Sequence, residues 1–322
     1  MNLITLQRKL NTDAKCIAHL EKVRWGKNPI CPYCNKDERI TERQNTYRYH
    51  CNKCNRDFSV LVGTIYEGTK LDLPTWFYLT ALMVNAPMGI SHMELSRDLG
   101  IPYNTTWYAC MRIRCGMLDQ ADLLEGIVEM DEAYLGGKPR KIIPPDNAPV
   151  LSRVENKRGR GTRKVPVVGA VSRGKDGQVT TKLMERLTTR NLLAMLKRYV
   201  NEDEAIVITD EFHSYKKFDE VVEHLTINHK EAFAKGILHT NTIEGFWSII
   251  KNGIKGNYRA ISKKYLPFYL AEYAFKYNRR NRRQDSFKEF IDKSVAEDKC
   301  LVNYKPKKNV KTLAYRRKRK KK

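Results

Sequence analysis

Two short cysteine pairs constrain this chain before anything else does. "CPYC" (Cys31, Cys34) and "CNKC" (Cys51, Cys54) stand 16 residues apart. Each pair makes a tight knuckle that presents two thiolates to one ion. Four soft, anionic sulfurs suit tetrahedral Zn²⁺ and fill its coordination shell, so the expected role is structural rather than catalytic. A zinc ribbon over residues 1–66 follows, with strand-like pieces such as "TYRYHC" and "RDFSVLVG" around the metal. The other four cysteines, Cys16, Cys110, Cys115 and Cys300, show no pairing pattern. That argues for metal ligation over a disulfide framework. His50 adjoins Cys51 but is not needed as a ligand when four sulfurs are present.

Charge narrows the class of partner. The 322 residues carry 60 Lys plus Arg against 36 Asp plus Glu, a formal charge of +24. That excess goes well beyond what solubility requires and points to a polyanion, with nucleic acid first and an anionic membrane second. No apolar run approaches the ~20 residues of a membrane-spanning helix. The N-terminus has no apolar signal-peptide core. The expectation is a cytoplasmic, nucleoid-associated protein without a membrane partner.

Residues 67–118 change character. "LPTWFYLTALMVNA" has helical spacing with Pro74 near its start, "HMELSRDLG" is a short helix closed by Gly100, and "NTTWYACMRIRCGM" is a third helix. The spacing predicts a helix-turn-helix, with Asn104 or Thr105 as N-cap of the last helix. Asn104, Thr105 and Thr106 are then placed to reach base edges, and Arg112 and Arg114 to take phosphates. Packing alone is the plain alternative for this hairpin. Cys110 and Cys115 are expected to be small buried residues.

From Gly126 the period switches to strands: "GIVEMDEAY", "KVPVVGAVSR" and "QVTTKLMERL", the last two joined by the turn "GKDG". A helix "TTRNLLAMLKRYV", an apolar strand "AIVITDE", a strand "HLTINHK" and further helices follow. The order predicts an α/β domain around a mixed sheet over 119–292. Residues 136–163 read as a basic Gly/Pro-rich insertion, and 293–322 as a basic tail ending "YRRKRKKK".

Two acids in "VEMDEAY" raise the question of chemistry. In a strand, neighbours face opposite sides. Glu129 and Asp131 therefore share one face, and Met130 and Glu132 the other, so Asp131 must find its partner elsewhere. "AIVITDEFHSY" repeats the grammar, with Asp210 at the end of a second strand. Paired strand-end carboxylates repel unless a cation sits between them. Two Mg²⁺ (or Mn²⁺) ions clamped by such oxygens are the machinery of in-line phosphoryl transfer. A third acid, Glu244, opens the helix "NTIEGFWSIIKNGI". Ser248 and Lys251 share its face at i+4 and i+7. Asn241 is the expected N-cap of this helix.

The runs "CPYC…CNKC…FSVLVGTIYEGTKL", "LSRDLGIPYNTTWYACMRIR", "VEMDEAYLGGK", "ITDEFHSY" and "HTNTIEGFWSIIKNGIKG" together resemble bacterial insertion-sequence transposases of the ISXO type, related to eukaryotic Merlin elements. The resemblance spans roughly residues 15–292. It implies an RNase H-like catalytic domain behind a zinc ribbon and a helix-turn-helix. It also implies a DDE triad on Asp131, Asp210 and Glu244, with Lys251 as an associated basic residue. The implied activity is metal-dependent cleavage at element ends, then transfer of the freed 3′-hydroxyl into target DNA. Implied partners are terminal inverted repeats, target DNA, and a second copy of the chain in a dimer or larger assembly. A non-cutting DNA-binding protein and another RNase H-like nuclease, such as a junction resolvase, are the competing readings.

Overall fold

The computed structural model describes residues 2–44, 46–118, 123–136, 164–227 and 238–295. The expected basic insertion (136–163) beyond Gly136, and the expected tail (293–322) from 296 onward, lie outside the described residues, while 293–295 complete a helix. The chain divides into two compact units, Met1–Leu118 with Arg279–Lys322, and Asp119–Asn278. No helix among the described residues is long and apolar enough to cross a membrane.

The first unit opens with α1 (Leu3–Lys9) and α2 (Asp13–Arg24), whose N-termini are capped by the side chains of Asn2 and Thr12. Three short antiparallel strands follow, β1 (Ile40–Arg43), β2 (Arg48–Cys51) and β3 (Arg56–Phe58). So small a sheet buries little apolar surface. Its core is Cys31, Cys51 and Phe58, with Trp25 and Tyr49 packed against them. A metal is the kind of staple such a domain needs.

Three helices come next, close to the predicted spans: α3 (Leu73–Asn85), α4 (His92–Asp98) and α5 (Tyr103–Met117). Asp72 caps α3, with Pro74 in its first turn, and Ser91 caps α4. Gly100 takes φ +63° just past α4, a left-handed turn that glycine adopts without strain. The start of α5 departs from expectation. Its N-cap is Pro102, which makes no side-chain capping bond, rather than Asn104 or Thr105. Proline's fixed φ starts the helix two residues early.

A larger correction concerns three of the expected DNA contacts. Asn104 and Thr105 are exposed, but Thr106, Arg112 and Arg114 are buried. Thr106 returns its hydroxyl to the carbonyl of Pro102. Arg112 donates to the carbonyls of Thr64 and Glu67 and lies over the rings of Trp76 and Tyr108. Arg114 meets His92 Nε2 at 2.8 Å. Their partners come from neighbouring segments, the 64–67 turn and Trp76 of α3 for Arg112 and His92 of α4 for Arg114. α9 (Ser286–Val295) sets Phe287 against Phe77 and brings Phe290 to within contact of Gly116. Past its first turn α5 is enclosed, and its arginines serve the interior.

The second unit is a five-stranded mixed sheet. Its strands are β4 (Leu124–Leu135), β5 (Val165–Ser172), β6 (Val179–Leu183), β7 (Val200–Asp210) and β8 (Glu223–Ile227), in the order β6-β5-β4-β7-β8. β4, β5 and β6 form an antiparallel meander, and β7 and β8 add in parallel to β4. This is the RNase H-like arrangement, with the first strand of the domain at the centre. α6 (Thr189–Tyr199) and a 3₁₀ segment (His213–Glu220) cover one face, where Val128, Met130, Leu192, Met195, Tyr215 and Phe218 form the core. α7 (Asn241–Gly253) packs on β4 and β5 from the other side, and α8 (Leu266–Tyr277) lies on β6. Gly169 on β5 makes the approach of α7 possible. A Cβ there would come within 2.6 Å of the Trp247 ring and 2.9 Å of Ile243.

Burial of the α5 arginines gives a direct test. Arg112→Ala is expected to destabilise the protein by about 2–3 kcal/mol, because carbonyls paired to a charged donor lose it inside the fold. The salt dependence of DNA binding by the folded fraction is expected to stay at the wild-type slope. A reduced slope at unchanged melting temperature would return Arg112 to the DNA surface.

Candidate functional site

Two constellations of chemistry-bearing residues stand out, one in each unit. In the first unit the sulfurs of Cys31, Cys34, Cys51 and Cys54 all lie within 4.8 Å of one another. The closest cross-pairs, Cys31 with Cys54 and Cys34 with Cys51, are both 3.6 Å. A tetrahedron with Zn–S bonds of ~2.3 Å has edges of ~3.8 Å, so the cage has the size of a ZnS₄ site. The two knuckles are built alike. Asn35 and Asn55, each following the second cysteine of its pair, both turn left-handed, with φ +58° and +51°. Burial pushes the Cys51 thiol up, but hydrogen bonds from the backbone N–H groups of Cys54 and Lys53 outweigh it and bring it down to about 6. Burial and the neighbouring sulfurs push Cys54 up to about 12. Sulfurs crowded this way compete for protons until a cation takes their place. His50 bonds Asp57 at 2.7 Å and stays outside the cage.

In the second unit the sheet assembles the acids. β4 and β7 are paired in parallel up to Glu129 and Ile208. Asp131 and Asp210 each lie two residues further along their strands, at the same end of the sheet. Glu244 sits in the first turn of α7, the helix laid over β4 and β5. The three charges feel one another. Asp131, partly buried, is pushed up to about 7, first by burial and then by Glu132, with Asp210 and Glu244 adding to it. Asp210 accepts from the backbone N–H of Phe212 at 3.1 Å, and Glu244 from the Thr240 hydroxyl at 2.9 Å. The three carboxylates do not form a single cage as tight as that of the cysteines. One small ion would need such a cage. A pair of ions ~3.5–4 Å apart would need a wider one. Hard oxygen donors, one of them held up by its neighbours' charges, are the donor set for a divalent cation, which would relieve the repulsion. These residues fit such a group.

The alternation of faces along β4 holds. Glu132 points to the α6 side and accepts from the Tyr215 hydroxyl at 3.1 Å. Tyr215 is held well above its ordinary pKa by burial and by the nearby carboxylates, so it stays a hydroxyl donor. Glu129 shares the Asp131 face, is fully buried, and accepts four hydrogen bonds or ion-pair contacts from the β5 end and the α7 start, described below. Sequence reading assigned it a face and no role. An acid inside an apolar strand, two residues from Asp131, was the available signal. The expected N-cap Asn241 is instead the first residue of α7, with Thr240 as N-cap. Lys251 is exposed at the predicted position on the outer face of α7.

Residues 123–278 match the model of the ISXO2-like transposase domain, and residues 11–57 match that of a transposase zinc-ribbon domain. A relative in Halobacterium salinarum, described as an uncharacterized protein in transposable element ISH50, is 27% identical over 263 residues, covering 78% of this chain and 86% of that protein. A solved simian T-cell lymphotropic virus intasome in complex with PP2A regulatory subunit B56 gamma aligns over 57% of this chain and 64% of that chain, at 11% identity. Its TM-score is 0.29, at which the likeness carries no argument.

Two outcomes test the sites. Cys51→Ser is expected to lose bound zinc and unfold the ribbon, read by metal analysis and by proteolysis of the N-terminal region. Equal zinc content in variant and wild type would remove Cys51 from the cage. For the acids, the folded state raises the Asp131 pKa from 3.8 to about 7, so it holds this proton more tightly than the unfolded chain does. The associated stability is complete below pH ~4 and is lost as pH rises through ~7. In EDTA at pH 8, Asp131→Asn is therefore expected to melt higher than wild type, and Mg²⁺ to raise the melting temperature of wild type more than that of the variant.

Proposed function

We propose that this chain, whose residues 123–278 match the ISXO2-like transposase domain and 11–57 a transposase zinc ribbon, is a DDE-type DNA strand transferase that works on the ends of its own element. The observation that carries this reading is the convergence of Asp131, Asp210 and Glu244, from β4, β7 and α7, closely enough that the latter two raise the pKa of the first. Water attacks the phosphorus at an element end and the P–O3′ bond breaks. The freed 3′-hydroxyl then attacks a target phosphate and displaces a target 3′-oxygen. Asp131, Asp210 and Glu244 would hold two Mg²⁺ (or Mn²⁺) ions, which supply Lewis-acid stabilisation of the attacking and departing oxygens when bound.

The chain's other residues then have defined tasks. Glu244, Ser248 and Lys251 are all exposed along one line of α7, and Lys255 is exposed just past its end. No acid occurs between Glu244 and Glu272, while Lys251, Lys255, Arg259, Lys263 and Lys264 do. These cations would take phosphates on the DNA leaving the acids. The four-cysteine ribbon, with exposed Asn104 and Thr105 at the start of α5, would read the terminal inverted repeats. A second copy of the chain is needed to hold the second end. The family supports DNA as partner, and the relative found within a transposable element supports an element end as substrate.

The experiment is incubation of the full chain with an end-bearing duplex, a target duplex and Mg²⁺. Nicking followed by joining of the 3′ end is expected. Specific binding without any product would favour a non-cutting DNA-binding protein. Preference for branched DNA without joining would favour a resolvase. Asp131→Asn is expected to abolish cleavage and leave binding intact, while Glu132→Gln stays active. The reverse pattern would overturn the face assignment. Lys251→Gln is expected to lower the slope of log affinity against log salt by about 1.

A further inference from the structure

We infer that Glu129 is a positioning residue: it clamps the first turn of α7 to β4 and so sets Glu244 against Asp131. This rests on the reading of the acids as a metal-holding triad. The first N–H groups of a helix have no partner within it, and a side chain at the N-cap ordinarily accepts from the third. In α7 the N-cap is Thr240, and its side chain makes no such bond. Its hydroxyl donates to Glu244 instead. The duty falls to a residue more than a hundred positions earlier. Glu129 Oε2 accepts from the backbone N–H of Ile243 at 2.9 Å, and its Oε1 from the Thr242 hydroxyl at 2.8 Å. Ile243 immediately precedes Glu244. A carboxylate at this place also meets the positive end of the helix dipole.

The same carboxylate is tied on its other side. Arg173, just past β5, donates from Nε to Glu129 Oε1 at 2.6 Å and from Nη2 to the carbonyl of His239. His239 Nδ1 lies 3.4 Å from the same Oε1. Arg173 also donates its backbone N–H to the carbonyl of Ile127. Glu129 thus joins β4, the end of β5 and the chain entering α7 at one fully buried point. One turn on, Trp247 seats over Gly169, the β5 partner of Asp131. Two attachments along a helix fix both its distance from the sheet and its rotation. Asp131 stands two residues from Glu129 on the same face, so the clamp and the acid it serves share one strand.

The test uses the full chain. In EDTA, Glu129→Gln is expected to speed amide hydrogen exchange in the first turn of α7 by about tenfold or more, while α6 exchanges at the wild-type rate. Its affinity for Mn²⁺, read by paramagnetic resonance titration, is expected to fall roughly 10–100-fold, the usual effect of removing a residue that orients ligands. Cleavage lost at low Mg²⁺ is expected to recover at high Mg²⁺, which a damaged fold would not do. Zinc content should not change. Should Glu129→Gln not fold, Thr242→Val removes one bond of the clamp and no charge, and is expected to show the same exchange and Mn²⁺ changes in smaller measure. Wild-type exchange and Mn²⁺ affinity in a folded variant would overturn the inference. Asp131→Asn serves as the control. If it binds Mn²⁺ like wild type, the metal-holding reading itself fails, whatever Glu129 does.

Discussion

Carboxylates repel, and the second unit is organised around holding three of them near one another. Parallel pairing of β4 with β7 carries Asp131 and Asp210 to the same end of the sheet, and α7 brings Glu244 across it. The cost shows in Asp131, whose proton is held up to about pH 7. Such an arrangement persists only if its frame is stiffer than the repulsion is strong. The frame here is a five-stranded sheet with an apolar core on one face, and on the other a helix seated in the groove left by Gly169. Where the acids meet, the domain gives up stability at neutral pH.

The first unit handles charge differently. Its small ribbon has too little apolar surface to stand on packing alone, and four sulfurs at the corners of a ZnS₄-sized cage make up the deficit. Its helices bury two arginines. Arg112 is held by carbonyls and aromatic faces, and Arg114 by His92. The chain's positive excess is therefore not all available to a polyanion. What faces outward on α7 and just beyond it is.

Much of the candidate site was legible in residue order because it rests on local periodicity. The two-residue period of a strand separated Asp131 from Glu132, and Glu132 indeed bonds Tyr215 on the opposite face. The 3.6-residue period put Lys251 on the outer side of α7 with Glu244. Cysteine spacing marked the cage, since each knuckle is made within a few residues. The failures share one cause. Arg112 and Arg114 looked available because α5 by itself has a polar side, and what covers them lies on other segments, Thr64, Glu67 and Trp76 for the first and His92 for the second. Glu129 looked like a misplaced acid because its partners, Arg173, Thr242 and Ile243, belong to stretches remote from it in sequence. The cap of α7 was sought in Asn241, next in sequence, when the acceptor stands on another strand.

The sequence by itself determined the elements and their faces, the knuckles, and which acids end strands. Steric and hydrogen-bonding limits acting over a few residues are enough for that. Only the tertiary structure decided which strand ends become neighbours, which basic residues are spent inside, and which carboxylate holds the helix of Glu244. Those outcomes depend on burial, and burial is settled by segments that meet only after the chain has closed on itself.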